Sequence, residues 1–136
     1  MAFVVDASVT LAWCFEDETT RYSDMVLDRL RGDEAIVPGI WPFEVINVLV
    51  FGERRGRLTE ANAARFLTLL GALPILVEPV EFGRLASTVW ALARVEHLSS
   101  YDAAYLELAM REALPLATQD VWLADAARRV GVTVLR

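Results

Sequence analysis

Short apolar runs alternate with longer stretches of mixed polarity along the 136 residues of the chain. The first run, from Ala2 to Val5, contains no polar residue and breaks off at Asp6. Apolar runs that include β-branched residues are typical of strands buried on both faces of a parallel sheet. Four further runs predict strands over residues 35–37, 75–77, 114–117 and 132–135.

The stretches between these runs carry apolar residues at helical spacing. They predict helices over residues 8–15, 21–31, 41–55, 59–70, 81–95, 101–112 and 121–130, the first of them capped by Ser8. Strands that alternate with helices favour a three-layer α/β/α fold with a central parallel sheet flanked by helices. No linker or internal repeat interrupts the pattern, so we expect residues 1–136 to form a single domain.

The composition excludes several classes of protein. With 55% hydrophobic residues and a mean hydropathy of +0.37, the chain is too apolar to be disordered. No apolar run approaches the roughly 20 residues of a membrane span, and no leader-like segment precedes the first strand, so we expect a cytoplasmic protein. The single cysteine, Cys14, cannot form an internal disulfide or a cysteine metal cluster, and we expect it to be a small buried hydrophobic residue.

The charged residues narrow the chemistry further. The net charge is −6, and all 13 basic residues are arginine. The absence of lysine excludes the phosphate-binding loop of nucleotide hydrolases and Schiff-base catalysis. An acidic chain also lacks the general positive charge with which proteins contact nucleic-acid phosphates. A nucleic-acid function therefore requires a local arginine cluster or a bound metal.

Three acidic residues stand near predicted helix starts. Asp6 and Asp120 each follow a strand, and Asp102 lies in a first helical turn after Ser99 and Ser100. Each acid alone is explained by helix capping. Their common location favours a shared role, because ligands of α/β proteins bind at the carboxyl edge of the sheet.

Glu44 is harder to explain by local structure. Its helix has almost no polar face, so we expect Glu44 in or beside the core. A buried carboxylate needs a metal, an arginine or a hydrogen-bond network. Asn47 lies three residues on and is expected to hold Glu44 or a metal-bound water, the alternative being a purely structural Glu–Asn pair. Four clustered carboxylates would suit a hard divalent cation.

Five motifs, in this order and spacing, resemble those of PIN-domain nucleases, and most closely the VapC-type ribonuclease toxins of prokaryotic toxin–antitoxin pairs. They span residues 4–8, 42–49, 101–109, 116–120 and 126–132, which is essentially the full chain. The resemblance implies a parallel sheet flanked by helices and an acidic pocket that binds Mg2+ or Mn2+. It also implies homodimers and a small VapB-type antitoxin whose C-terminal segment wraps the toxin and blocks its active site.

Residue by residue, the resemblance implies two groups of site residues. The catalytic, metal-binding acids are Asp6, Glu44, Asp102 and Asp120, of which the last occupies a position that contributes variably in the family. Supporting positions are matched by Ser8, Asn47 and Thr118. The implied activity is that of an endoribonuclease toxin that cleaves the phosphodiesters of tRNA, rRNA or mRNA through a metal-activated water.

Two other sets of residues bear on this interpretation. Arg54, Arg55 and Arg57 are the best candidates for RNA contact, although arginines at a helix C-terminus are also favourable without any ligand. The only histidine, His97, cannot supply the acid and base pair of a metal-free ribonuclease, and we expect it to be structural.

Two alternatives belong to other classes. A metal-dependent phosphohydrolase would use Asp6 as its nucleophile, but Ser8 stands where its second acid is usual, and no lysine follows. A catalytically inactive module would use the fold only to bind a partner protein. The presence of all four acids argues against the inactive module.

Overall fold

A four-stranded parallel sheet forms the centre of the computed structural model, which describes residues 1–136. Its strands are β1 (Ala2–Val5), β2 (Glu34–Pro38), β3 (Ile75–Glu78) and β4 (Leu116–Ala117), in the spatial order β3-β2-β1-β4. The expectation of an α/β fold with a central parallel sheet flanked by helices is confirmed.

Strand β1 is central in both position and burial. Val4 is in register with Ile36 of β2 and with Leu116 of β4. Its residues from Phe3 to Val5 are fully buried, which explains why the run contains no polar position. The ladder extends one residue beyond the strand, because the Asp6 amide donates to the Ala117 carbonyl at 3.1 Å. Asp6 is therefore fixed at the carboxyl edge of the sheet.

Helices occupy the connections between the strands, and one more helix follows β4. Their bounds are α1 (Ala7–Ala12), α2 (Arg21–Arg29), α3 (Trp41–Arg54), α4 (Glu60–Ala72), α5 (Phe82–Arg84), α6 (Trp90–Glu96), α7 (Ser100–Glu112) and α8 (Val121–Arg129). A 3₁₀ turn covers Glu16–Glu18, and a π-helical segment, Leu85–Val89, joins α5 to α6. Helix α7 packs on β1 and β2. None of the helices is long and apolar enough to cross a membrane.

Two local expectations were wrong. Helix α1 is capped by Asp6, whose carboxylate accepts from the Val9 amide, while Ser8 lies inside the helix. The predicted terminal strand over residues 132–135 is reduced to an isolated bridge between Leu116 and Val134. The physical reason is the length of β4, since a two-residue strand offers too few backbone groups for a longer ladder.

A buried acid also ties α7 to the edge of the sheet. The Glu107 side chain is only 5% exposed and accepts from Arg111 Nε at 2.9 Å, with Arg84 Nη1 at 3.6 Å. Arg111 also pairs with Glu78, the last residue of β3. Two guanidinium groups therefore compensate the charge that the core encloses.

We expect Arg111→Ala to lower the free energy of unfolding by about 2 kcal/mol, because the buried Glu107 carboxylate is then left with Arg84 as its only cation. Urea denaturation measures the loss. The control is Arg31→Ala, which removes an exposed pair with Asp28 and is expected to change stability by less than about 0.5 kcal/mol. Equal losses in the two variants would contradict the role given to Glu107.

Candidate functional site

The four predicted acids are brought to one edge of the sheet by the starts of different helices. Asp6 follows β1, and Asp120 lies just beyond β4 and caps α8. Glu44 and Asp102 lie in the first turns of α3 and α7. The edge is the carboxyl one, where parallel α/β sheets leave a crevice. We call these four residues the acidic cluster.

Asp6 is the most enclosed member of the acidic cluster, with 4% of its surface exposed. Its Oδ1 accepts from Ser8 Oγ at 2.7 Å and from the Val9 amide at 3.2 Å, and Thr118 Oγ1 donates to Oδ2. Burial raises the pKa of Asp6, the hydrogen bonds from Thr118, Ser8 and Val9 oppose that rise, and the charge of Asp120 adds to it. The donors thus offset part of the cost of enclosing a carboxylate.

Ser8 and Thr118 both donate a hydrogen bond to the Asp6 carboxylate, and their supporting role, which the resemblance implies, stays a prediction. Thr118 Oγ1 also accepts from the Asp120 amide at 3.0 Å, and Asp120 Oδ1 accepts from the Leu123 amide at 2.9 Å. One hydroxyl therefore contacts Asp6 and fixes the loop that carries Asp120.

Glu44 is half-buried, and its surroundings differ from those expected. Helix α3 buries Trp41, Val45 and Leu49, whereas Phe43 is 70% exposed. One apolar face of this helix is therefore exposed to solvent. Apolar neighbours in the sequence were for that reason not sufficient to show that Glu44 is buried in the core.

The hydrogen-bond partner of Glu44 is Tyr105, which the sequence interpretation missed. The Tyr105 hydroxyl donates to Glu44 Oε1 at 2.6 Å, while Asn47 is exposed and makes no hydrogen bond to Glu44. The expectation that Asn47 holds Glu44 was therefore wrong. The alternative expectation, that Asn47 holds a metal-bound water, stays a prediction. The available signal was spacing, since Tyr105 follows Asp102 by three residues and shares its helix face.

The members of the acidic cluster influence one another electrostatically. Burial, followed by the charges of Asp120 and Asp6, raises the pKa of Asp102 to about 6. Burial also raises the pKa of Glu44, with contributions from the charges of Asp102 and Asp6. Burial and the neighbouring Glu44 charge raise the pKa of Tyr105, so its phenol stays neutral and remains a hydrogen-bond donor. The cluster is thus a pocket of unfavourable negative charge.

The donor chemistry of the acidic cluster fits a hard divalent cation. Carboxylate oxygens are the ligands that Mg2+ prefers, and a cation would relieve the repulsion that raises these pKa values. No three histidine, cysteine or acidic side chains lie close enough together to enclose a metal as they stand. This spacing is compatible with Mg2+, which keeps several waters and binds through one or two carboxylates.

The three predicted RNA-binding arginines lie apart from the acidic cluster. Arg54 is ten residues beyond Glu44 on α3, which corresponds to about 15 Å along the helix axis. Arg57 Nη2 is paired with Glu18 at 2.8 Å and with Asp17 at 3.3 Å. The Arg54 and Arg55 guanidinium groups instead lie near the Phe51 ring, at 5.5 and 5.9 Å.

The remaining two residues singled out in the sequence also lie outside the cluster. His97 ends α6 in a left-handed conformation and takes no part in the hydrogen bonds of the acids, and its structural role stays a prediction. Cys14 is half-buried rather than fully buried, and burial raises the pKa of its thiol.

The pKa of Asp102 generates a prediction about pH. Ionising Asp102 costs more in the folded chain, where the pKa is about 6, than in the unfolded chain, where it is 3.8. The corresponding stability is present below about pH 4 and is lost as the pH rises through about 6. We expect Asp102→Asn in EDTA to be more stable than the wild type at pH 7.5, by about 1 kcal/mol after allowance for solvent screening, and equally stable at pH 3.5.

Thermal melts at the two pH values measure this difference. Asp28→Asn, at an exposed position on α2, controls for the loss of one negative charge from the chain. A stability gain that is the same at both pH values would contradict the electrostatic origin.

Comparisons with known proteins find relatives that match this chain over most of its length. Ribonuclease VapC3 of Pyrobaculum aerophilum is 29% identical over 125 residues, which cover 92% of this chain and 94% of that relative. The crystal structure of PAE2754 from Pyrobaculum aerophilum has a TM-score of 0.66 and 28% identity, and the match covers 93% of this chain and 87% of that one.

A toxin–antitoxin complex from Klebsiella pneumoniae has a TM-score of 0.68 at 16% identity, covering 98% of this chain and 96% of that one, and this likeness concerns the fold alone. The family model of the PIN domain matches residues 3–129. A match over nearly the whole length means that the chain belongs to the PIN domain family.

Proposed function

We propose that this protein is a divalent-metal-dependent endoribonuclease that acts as the toxin of a type II toxin–antitoxin pair. The observation that carries the proposal is the acidic cluster of Asp6, Glu44, Asp102 and Asp120 at the carboxyl edge of the sheet. The 29% identical relative, named a ribonuclease, supplies the reaction class. Divalent-metal dependence is general among PIN-domain ribonucleases, and we propose Mg2+ or Mn2+ as the ion.

In this proposal the acidic cluster holds the cation, and the remaining residues hold the cluster. When bound, the cation supplies Lewis acidity, which lowers the pKa of a water for attack on an RNA phosphodiester and stabilises the leaving oxygen. Ser8 and Thr118 fix the Asp6 carboxylate by donating to its two oxygens. The Asp102 carboxylate accepts no hydrogen bond within the chain, so both of its oxygens are free to face the ligand.

The proposal extends to the partners and the setting. A cognate VapB-type antitoxin is supported by the fold likeness to a chain of a toxin–antitoxin complex. The RNA substrate is a tRNA, an rRNA or an mRNA, and the chain acts in the cytoplasm as a homodimer whose residues 1–136 form one domain.

The environment of Asp6 argues against an aspartyl-phosphate phosphohydrolase. A nucleophilic carboxylate must reach the phosphorus with a free oxygen, but Asp6 is 4% exposed and both of its oxygens accept hydrogen bonds. Oδ2 accepts from Thr118 alone and keeps a second lone pair that can hold a cation, whereas attack on phosphorus also requires the carboxylate to project into the crevice.

We expect Asp6→Asn to reduce the metal-dependent cleavage of structured RNA by at least about a hundred-fold. Mutation of a residue that only hydrogen-bonds to a metal ligand already lowers metal affinity or activity by ten- to a hundred-fold. The antitoxin-free protein is incubated with RNAs that include tRNA, in Mg2+ or Mn2+ and in excess EDTA. Asp28→Asn makes the same substitution at an exposed residue outside the acidic cluster and is expected to cleave normally. Cleavage that persists in EDTA or in Asp6→Asn would refute the proposal, and a folded protein that binds metal but cuts no RNA would favour the inactive module.

Replacing Arg54, Arg55 and Arg57 together with alanine is expected to weaken RNA binding and to make it less sensitive to salt. Arg57 is already paired with Asp17 and Glu18, so the slope of log affinity against log salt should fall by about 1.4, the value for two lost phosphate contacts on single-stranded RNA. Fluorescence anisotropy with the Asp6→Asn protein measures binding without cleavage. An unchanged RNA affinity would remove these arginines from the proposed interface.

A further inference from the structure

Tyr105 is a buried side chain that donates a hydrogen bond to the acidic cluster. It is 1% exposed, lies on α7 three residues after Asp102, and donates from its hydroxyl to Glu44 Oε1 at 2.6 Å. The contact joins residues 61 positions apart in the sequence and links α7 to the first turn of α3. One hydrogen bond therefore connects the helices that carry Asp102 and Glu44.

Glu44 is held differently from Asp6. Both carboxylate oxygens of Asp6 accept hydrogen bonds. The Glu44 carboxylate accepts a single hydrogen bond, from Tyr105 to Oε1, and its Oε2 accepts none. A glutamate has more rotatable bonds than an aspartate and loses more side-chain freedom when it is fixed. The orientation of this carboxylate thus depends on one hydroxyl group.

We propose that Tyr105 is a positioning residue for Glu44, whose Oε1 it holds so that Oε2 is presented to the divalent cation. The inference rests on the proposed function, because it assigns Glu44 to the metal. Outer hydrogen-bond partners of metal-binding carboxylates orient those ligands, and their loss commonly weakens metal binding by ten- to a hundred-fold.

The chemistry of the contact supports more than a packing role for Tyr105. A buried phenol needs a partner, but a backbone carbonyl would satisfy it, as the Leu135 carbonyl satisfies Tyr22 at 2.7 Å. A carboxylate acceptor makes the hydrogen bond shorter and stronger than a neutral one would. A carboxylate is also a more costly acceptor to bury than a carbonyl. The acceptor that Tyr105 contacts is a carboxylate of the acidic cluster, Glu44.

The test is isothermal titration of the full chain with Mn2+ alone. We expect Tyr105→Phe, which keeps the ring and removes the hydroxyl, to bind Mn2+ about ten- to a hundred-fold more weakly than the wild type. Arg111→Ala is the control, since it lowers stability in the last turn of the same helix without removing a hydrogen bond to the acidic cluster, and it should bind Mn2+ as the wild type does. Melting temperatures of the two variants show whether their losses of stability are comparable.

A double-mutant cycle with Glu44→Ala separates positioning from a general structural effect. If Tyr105 acts through Glu44, adding Tyr105→Phe to Glu44→Ala should not weaken Mn2+ binding further. Mn2+ affinity in Tyr105→Phe that equals that of the wild type, or an equal further loss in the double variant, would overturn the inference and leave the proposed function standing. A wild-type chain that binds no Mn2+ would refute both.

Discussion

The Asp6 carboxylate, enclosed at the end of the central strand, is the constraint on which the acidic edge of the sheet depends. Removing a carboxylate from water costs several kcal/mol unless its oxygens are paired. Here the donors come from two segments, Ser8 and Val9 on α1 and Thr118 beyond β4. Thr118 reaches Asp6 because Val5 and Ala117 are in register. A two-residue strand is sufficient for that purpose, which explains how so short an element can be essential to the site.

Placing the Glu44 and Asp102 carboxylates near Asp6 lowers the stability of the fold. Burial and mutual repulsion raise the pKa values of Glu44 and Asp102, so the ionised cluster destabilises the metal-free fold. The helix starts offset part of this cost, because the positive end of a helix dipole favours a negative charge in the first turn. The packing of α7 on β1 offsets the remaining cost in stability, since Leu106 and Leu108 of α7 are almost fully buried. A site that is unfavourable when empty gains the more from a cation.

The sequence predicted those features that depend on local patterns. Asp6, Asp102 and Asp120 were identified because each follows a strand or begins a helix, and the parallel order of strands then brings them together. The same local rules failed for Ser8, which does not cap α1, since a better cap stood two residues before it. They also failed for the last strand, because its extent is set by the length of its partner β4.

Features that depend on tertiary contact were not predictable in the same way. Glu44 was singled out because its helix is apolar, but that helix leaves Phe43 exposed, and the environment of Glu44 is set by Tyr105 from another part of the chain. The arginine cluster was predicted from the local sequence alone, as three arginines within four positions at the end of a helix. The structure distinguishes its members, because Arg57 is folded back onto Asp17 and Glu18, and its guanidinium lies 4.1 Å from the centre of the Phe15 ring.

An acidic chain that is proposed to bind RNA must place positive charge at its binding site. Many arginines are neutralised within the chain by ion pairs, among them Arg29, Arg31, Arg84, Arg111, Arg128 and Arg129. A cation bound at the acidic cluster would therefore act twice, as it lowers the local negative charge and offers phosphate oxygens a ligand site. In an acidic protein of this kind, RNA binding and metal binding are expected to be coupled, because without the cation the cluster repels the phosphodiester that it is proposed to cleave.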